Sequence, residues 1–248
     1  MAGLRRLLPH GASGARPLIR ASRAPGVLRV RAGLIVAMLA AVLLAVGGRD
    51  LRADDVAGDF DFYVLSLSWS PSYCAAAGDR ADPQQCASGR PFAFVVHGLW
   101  PQYERGYPSH CRTDHRWPSR NQINAMLDIM PSRSLIRHEW NKHGTCAGLS
   151  PRRYFATTRR AFEAIVIPER LKRLEKPIIV DPQVLEKAFR TVNPGMPADA
   201  IAVTCSGNRI REVRICLDRD LGGYHACPQI DRSACRRQDQ RMPPVRRY

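Results

Sequence analysis

Apolar residues alternate with small polar residues through residues 61–69, which is the pattern of a strand with one face buried. A second run, residues 92–96, is apolar, aromatic and β-branched and predicts a buried strand. Gly98 and Pro101 follow closely, so we expect this strand to stop and to leave His97 beside a sharp turn. The segment between the two runs contains two cysteines and is interpreted as a loop.

Helical periodicity dominates the middle of the chain. We predict these helices, the second with Pro131 in its first turn: residues 121–130, 131–143, 151–164, 169–174 and 181–192. Residues 102–118 are rich in Tyr, Pro, Gly, His and Arg and predict a long irregular loop. Two strands come later, residues 201–205 and 212–217, joined by a turn at Gly207-Asn208. Strands at both ends with helices between them predict an α+β fold, with the helices packed on an antiparallel sheet.

The start of the chain differs from the rest. Arginines are frequent up to Arg31, and the apolar residues 32–48 resemble the core of a signal peptide more than a membrane span. We expect cleavage near Ala53, which makes residues 1–53 an export segment. The basic flank is long for a signal peptide, so a start at Met38 and retention of the segment as an anchor are both alternatives.

Residues 54–248 are then one domain, with no internal repeat and a basic tail at residues 236–248. The full chain has a formal net charge of +16; residues 1–53 carry nine Arg and one Asp, which leaves +8 on the domain. A basic surface favours polyanions such as nucleic acid through counterion release. A solvated, arginine-rich tail would explain the net charge of +8 equally well. Charge alone therefore does not decide between a surface that binds nucleic acid and a solvated tail.

All eight cysteines lie after residue 53. An even count in an exported chain predicts disulfides and an oxidising compartment, either the periplasm or the medium. No two of them form a CxxC pair, which argues against a zinc ribbon. Their spacing leaves the pairing open.

Residues 138–146, His-Glu-Trp-Asn-Lys-His-Gly-Thr-Cys, hold an unusual group of titratable side chains. A helix turns by about 100° per residue, so Trp140 and Asn141 point away from the others. Four side chains share an arc of roughly 140°: His138, Glu139, Lys142 and His143. Crowding like charges and titratable rings costs stability, so this arc, together with His97, predicts an active site.

Two kinds of catalysis are disfavoured. The His138-Glu139 pair resembles the start of the HExxH zinc motif, but the second histidine is five residues away and Lys142 occupies its expected place. An ammonium there would repel a dication. No GxSxG elbow is present, and Cys146 fits better among the disulfides than as a nucleophile. We therefore expect no metal and no cofactor.

General acid–base chemistry on a substrate with its own nucleophile remains. In RNA the 2′-hydroxyl attacks the adjacent phosphorus, which requires a base, an acid for the departing 5′-oxygen and cations near the phosphorane. Two histidines are suited to the proton transfers because their ordinary pKa lies near about 6.5. A lysine and a third histidine are suited to holding the phosphate.

His97-Gly98-Leu99-Trp100-Pro101 and residues 138–146 closely resemble the two active-site segments of the ribonuclease T2 family. The likeness extends to residues 62–69 and 205–235. It implies a secreted, metal-independent endoribonuclease of α+β fold whose partner is RNA. We expect a monomer with no obligate protein partner and no stable membrane association once the export segment is removed.

The resemblance also implies residue roles. His143 would be the general base and His97 the general acid, with the roles exchanged when the cyclic phosphate is hydrolysed. His138 would hold phosphate, while Glu139 and Lys142 would stabilise the transition state. The base would stack on Trp100 and Tyr107, although Tyr107 aligns with the family only across a gap. The implied disulfides are Cys74–Cys86, Cys111–Cys146, Cys205–Cys235 and Cys216–Cys227.

Several residues have competing interpretations. Trp100 before a proline could be a core residue, and His110 and His115 are most simply solvated loop residues. No role is assigned to His225. Gln102 stands where some relatives carry an acid linked to base choice, so the base preference is open. A binding module that kept the fold and lost the chemistry is the rival function, but none of the family's catalytic residues is missing here.

Overall fold

The computed structural model describes residues 55–115 and 117–246; the expected export segment lies outside them. Within these residues one sheet contains six strands: β1 (Phe62–Trp69), β2 (Phe94–Gln102), β3 (Ile178–Val180), β4 (Ile201–Ser206), β5 (Arg209–Asp218) and β6 (Gln240–Met242). The order is β2-β1-β5-β6-β3, and β4 also pairs with β5. All pairings are antiparallel except that of β5 with β6. The predicted α+β class is confirmed.

Eight α-helices lie in the same residues: α1 (Ser70–Ala77), α2 (Pro83–Cys86), α3 (Arg120–Asn124), α4 (Arg133–Lys142), α5 (Pro151–Ala164), α6 (Glu169–Lys172), α7 (Pro182–Val192) and α8 (Pro228–Asp231). The described part of the chain offers no helix with the length and apolarity needed to cross a membrane. Serine or aspartate side chains cap the first turns of α2, α3, α4, α5 and α7. These caps satisfy backbone N–H groups that have no partner within the helix.

Several predicted boundaries are wrong. The segment after β1 is not a loop, because Pro71 and a run of alanines support helix α1 there. The helix predicted for residues 121–130 ends at Asn124 and continues as turns. The predicted helix over residues 131–143 begins only at Arg133, because the Ser132 hydroxyl caps the N–H of Leu135.

Strand β1 is buried on both faces rather than on one. One face of β1 carries Tyr63, Leu65, Leu67 and Trp69, which pack with residues of the helices in the larger hydrophobic core. The opposite face carries Phe62 and Val64, which join a smaller cluster with Cys216, Cys227 and Ile230. The predicted exposed face is therefore wrong, because β1 is an inner strand and the α8 region covers its second side.

Four disulfides link the described residues: Cys74–Cys86, Cys111–Cys146, Cys205–Cys235 and Cys216–Cys227. This is the pairing that the family resemblance implies. Each bridge closes a short or medium stretch of chain, which limits the freedom of the unfolded state. Cys111–Cys146 fastens the long loop after β2 to the segment after α4.

Residues 240–245 belong to the packed domain. Gln240 and Met242 are buried in β6, and the Trp69 indole N–H donates to the Pro243 carbonyl at 3.0 Å. The Val245 N–H donates to the Leu174 carbonyl at 2.8 Å. The interpretation of residues 236–248 as a solvated tail is therefore wrong for this part.

Candidate active site

His97 occupies a β-bulge. In the pairing of β1 with β2, Ser66 faces Gly98 and Leu67 faces Val96, so His97 is the extra residue between them. A bulge re-aims the side chain that it carries. The strand does not stop here as predicted but continues to Gln102. It can include Pro101 because β2 is an edge strand, where a missing N–H breaks no essential hydrogen bond.

Helix α4 brings the second motif to the sheet. Ile136 and Trp140 anchor it in the core, as expected for the face opposite the charged arc. Glu139 is almost completely buried, whereas His138 is exposed. His143 follows the last helical residue, and its backbone N–H donates to the Glu139 carbonyl at 3.0 Å. The two residues are therefore held on the same side of the helix end.

The two motifs meet through Glu139. Its Oε2 accepts a hydrogen bond from the Trp100 indole at 2.7 Å, and its Oε1 lies 3.7 Å from Nε2 of His97. The Trp100 ring centroid is 5.3 Å from that of His97 and 5.3 Å from that of His143. Trp100 is partly exposed, so it is a site residue as well as a packing residue.

Tyr107 and Lys142 lie at the edge of this group. The Lys142 ammonium is 5.7 Å from the centre of the Tyr107 ring, and that ring is 6.1 Å from the ring of His143. Tyr107 is 48% exposed, which leaves its ring available to a ligand. The structure thus brings residues of both motifs, and Tyr107, into one cluster of side chains.

His110 also lies beside the site, although the sequence suggested only a solvated loop residue. It is exposed, but its Nδ1 lies 3.3 Å from the Asn141 amide and its backbone N–H donates to the Lys142 carbonyl. Its positive φ of 54° is uncommon for a residue other than glycine. By contrast, His115 is exposed, and His225 stacks on Phe62.

Glu212 is the site residue that sequence reasoning missed. It projects from β5 with 1% of its surface exposed, and its Oε1 lies 2.8 Å from Nδ1 of His97. Arg214 donates to Oε2 through two guanidinium nitrogens at 3.1 and 2.8 Å, and Nε of Arg211 lies 3.3 Å from Oε1. The sequence signal was a glutamate at the start of the run, residues 212–217, that predicts a strand.

Burial and neighbouring charges give these groups different proton affinities. Burial, followed by the charges of Lys142, His138, His97 and His110, lowers the pKa of His143 to about 3. Burial raises the pKa of Glu139 to about 7 against the opposing effects of His97, Trp100 and Lys142. Burial also disfavours ionised Glu212, but its hydrogen bond with His97 and the nearby arginines outweigh that effect and lower its pKa to about 2.

His138 is more exposed to solvent than His143. Partial burial, followed by the charges of Lys142, His97 and His110, lowers its pKa. Its ring lies on the rim of a cavity of about 710 Å³ that also reaches His97 and Glu212. Three arginines, Arg80, Arg209 and Arg211, line the same cavity, whereas Trp100 and Tyr107 do not.

The arrangement is suited to proton transfer around an anion. One imidazole is buried and neutral, another is in contact with carboxylates, and a lysine and a third imidazole are nearby. Among the residues that the structure describes, no three His, Cys, Asp or Glu side chains are grouped so as to hold a metal ion.

Comparisons with known proteins find related ribonucleases. The model of the ribonuclease T2 family matches residues 60–227. A ribonuclease of Aeromonas hydrophila is 49% identical over 116 residues, which are 47% of this chain and 51% of the relative. Ribonuclease DdI of Dictyostelium discoideum is 29% identical over 232 residues, or 82% of this chain and 95% of the relative. The chain spans about half the length of some curated relatives, including the Aeromonas protein and a probable ribonuclease of Haemophilus influenzae.

Solved structures show the same fold. An RNase-related protein from Calystegia sepium superposes with a TM-score of 0.59 at 21% identity, covering 75% of this chain and 98% of that one. RNase NT, solved in complex with 5′-AMP, superposes with a TM-score of 0.57 at 25% identity, covering 75% of this chain and 100% of that one.

Proposed function

Because the chain belongs to the ribonuclease T2 family, we propose that it is an endoribonuclease that cleaves RNA through a 2′,3′-cyclic phosphate. In the first step His143 takes the proton of the 2′-hydroxyl, whose oxygen attacks the adjacent phosphorus. The bond from phosphorus to the 5′-oxygen breaks, and His97 gives a proton to that oxygen. Water then opens the cyclic phosphate to a 3′-phosphate, with His97 as base and His143 as acid.

The opposite environments of the two imidazoles are the observation that carries this proposal. His143 is buried, and its Nδ1 has no hydrogen-bond partner among the described residues, so the neutral form that a base requires is favoured. His97 has a carboxylate oxygen 2.8 Å from one ring nitrogen and another 3.7 Å from the second. These contacts place a carboxylate oxygen beside each nitrogen of the His97 ring.

The neighbouring residues are suited to the charge that develops on the phosphorane. Lys142 supplies a fixed cation beside His143, and His138 supplies a second polar group on the cavity rim. Glu139 has a pKa of about 7, so near neutral pH it exchanges between an acid that donates to a phosphate oxygen and a carboxylate that attracts cations. Preorganised groups of this kind supply much of the catalysis in water-poor sites.

The aromatic rings and the cavity support a path for the RNA strand. The Trp100 ring lies near both histidines and the exposed Tyr107 ring lies near His143, and stacking a base on such a ring is worth about 1–3 kcal/mol. The cavity that begins at His97 and His138 provides room for the nucleotide beyond the broken bond. Arginines line it, which favours the following phosphates.

We extend the proposal to the location and assembly of the protein. Four disulfides are consistent with an oxidising compartment, so we propose that the enzyme is exported to the periplasm or the medium. We propose that it acts there as a monomer, free of the membrane and of any obligate protein partner.

The first test is product analysis. Incubation with a short RNA in EDTA, followed by mass spectrometry, should reveal cyclic phosphate ends and later 3′-phosphates. An all-2′-deoxy analogue of the same sequence should stay intact because it lacks the internal nucleophile. RNA that is bound in a salt-dependent way but never cut would overturn the proposal in favour of a binding module.

A further inference from the structure

We infer that Glu212 is a positioning residue that fixes the ring of His97 and selects Nε2 as its reactive nitrogen. The inference deepens the proposed function and rests on it. No motif of the sequence includes Glu212, which follows His97 by 115 residues. The two meet because β5 pairs with β1 and β1 pairs with β2.

The contact determines which nitrogen of His97 can react. Nδ1 lies 2.8 Å from Oε1 of Glu212, so this nitrogen keeps its proton and donates it to the carboxylate. Nε2 lies on the other side of the ring, 3.7 Å from Oε1 of Glu139. In both reaction steps Nε2 is then the nitrogen that gives or receives the proton, while Nδ1–H stays in place.

The carboxylate is itself fixed in position and in charge. Arg214 binds Oε2 through Nε and Nη2, and the same guanidinium lies 5.3 Å from the centre of the Trp100 ring. Arg211 adds a second positive charge from the exposed end of the strand. Glu212 therefore remains ionised over the whole pH range in which histidine catalysis operates.

Other charged groups lie around His97. Helix α4 contributes Glu139 and His138, and β5 contributes Arg211 and Arg214. The remaining titratable groups on the shared cavity come from α1, the segment after it and the start of β5: Tyr73, Arg80, Asp82 and Arg209. Among these, Glu212 and Glu139 are the carboxylates with an ion-pair distance to the His97 ring.

A purely structural role for Glu212 is a poor explanation. Burying a charged cluster costs desolvation, and well-packed apolar residues usually give equal or better stability. At this position the cluster ends on a ring nitrogen of a proposed catalytic residue. Orienting His97 would explain why the protein buries these charges despite the desolvation cost.

The test compares Glu212→Gln with wild type. Glutamine keeps the size and one acceptor oxygen but removes the charge. We expect kcat to fall by roughly tenfold to a hundredfold, the range seen when a group that orients a histidine is removed. KM should change by less than about twofold, because Glu212 contributes no direct phosphate contact in this scheme.

Glu186→Gln is the matched control. Glu186 is a partly buried glutamate on α7 that accepts from the Val203 N–H at 2.8 Å, away from the cleft. Its neutralisation should leave kcat unchanged. Glu212→Asp should restore the charge and recover part of the activity, which a loss of packing alone would not allow.

A measurement on the wild type does not depend on how the variants fold. Nitrogen-15 NMR of labelled histidines should find neutral His97 as the Nδ1–H tautomer. An Nε2–H tautomer, or a Glu212→Gln enzyme with wild-type kcat, would overturn the positioning role while leaving ribonuclease activity intact. Wild-type protein that does not cleave RNA would instead overturn the proposed function.

Discussion

The indole N–H of Trp100 donates a 2.7 Å hydrogen bond to Oε2 of Glu139 and so joins strand β2 to helix α4 inside the cleft. Gly98 makes this contact possible. A Cβ atom at residue 98 would lie 1.9 Å from Oε2 of Glu139 and 2.3 Å from the indole nitrogen. The His-Gly-Leu-Trp segment therefore serves packing between the two motifs as well as chemistry.

Gly98→Ala should separate the two motifs. We expect a loss of at least about 1–3 kcal/mol in the free energy of unfolding, the usual cost of overpacking, together with a large loss of RNA cleavage. Urea denaturation and initial rates measure both effects. Gly222→Ala is the control, because the nearest atoms to its Cβ would be those of the Asp220 side chain, at 3.1 Å or more. Wild-type stability and rate in Gly98→Ala would contradict this account of the site.

His97→Ala and His143→Ala should each lower kcat by about 10²–10⁴-fold, the usual contribution of general acid–base catalysis. Thermal stability should stay near the wild-type value, with His115→Ala as an exposed control that keeps full activity. Activity is measured by RNA cleavage, and folding by circular dichroism of the same samples. If activity simply followed the folded fraction, the catalytic assignments would be wrong.

The plot of kcat/KM against pH should be bell-shaped, with its acidic limb at low pH. The base must be neutral, and the pKa of His143 is about 3, so protonation of this residue should reduce kcat/KM only in strongly acidic solution. The alkaline limb should reflect deprotonation of the acid. Lys142→Gln should move the acidic limb upward, since Lys142 helps to lower the pKa of His143. A rate that rises steadily to high pH would contradict the scheme of two histidines.

Stability should depend on pH through His143 and Glu139 in opposite directions. The folded pKa of His143 is about 3 against an ordinary 6.5, so the unfolded chain holds the extra proton in between and stability rises with pH. The folded pKa of Glu139 is about 7 against 4.5, so stability falls as pH rises through that interval. Each full proton corresponds to a slope of about 1.4 kcal/mol per pH unit.

Two variants separate these contributions. Below pH 4.5, where Glu139 is largely protonated in both states, His143→Asn should reduce the rise of stability with pH and leave the part that comes from Glu212, whose folded pKa is about 2. Between pH 4.5 and 6.5 the two slopes offset each other, so Glu139→Gln should turn a nearly flat profile into a rise with pH. Urea midpoints between pH 3.5 and 8, with the disulfides intact, test both, and unchanged slopes would show that these residues do not carry the linkage.

Removal of Cys111–Cys146 should affect activity more than removal of Cys205–Cys235. The two bridges close stretches of 35 and 30 residues, so their effect on the unfolded chain should be nearly equal. Cys111–Cys146, however, fastens the loop that carries Tyr107 and His110 to the segment after His143. Double Cys→Ala variants, compared at a temperature where both are folded, should show a raised KM for RNA in the first alone. Equal values would mean that the bridge does not position the loop.

The sequence was sufficient where neighbours in the chain determine the structure. The arc from His138 to His143 depends on helical geometry, and the buried position of Trp140 follows from the same periodicity. The end of β2 was mispredicted because local rules treat Gly98 and Pro101 as breakers. Those rules do not include the edge position of the strand, which permits a proline, or the bulge at His97.

Glu212 could not be found by the same route. Its contact with His97 depends on β5 lying next to β1, a pairing of distant segments that no local pattern specifies. The short strands β3 and β6 were missed for a related reason, since three residues carry too little periodicity to predict a strand. Residues that complete a site across a sheet are visible only once the topology is known.

Strand β6 is the last strand of the described sheet to be synthesised. Every residue assigned to the chemistry, apart from Glu212, has been made by residue 143, yet the sheet still lacks β6 and the Pro243 carbonyl that binds the Trp69 indole. Pairing between such distant segments is slow to form. A growing chain that already carries both histidine motifs has therefore still to make β6, nearly a hundred residues later, before the described sheet is complete.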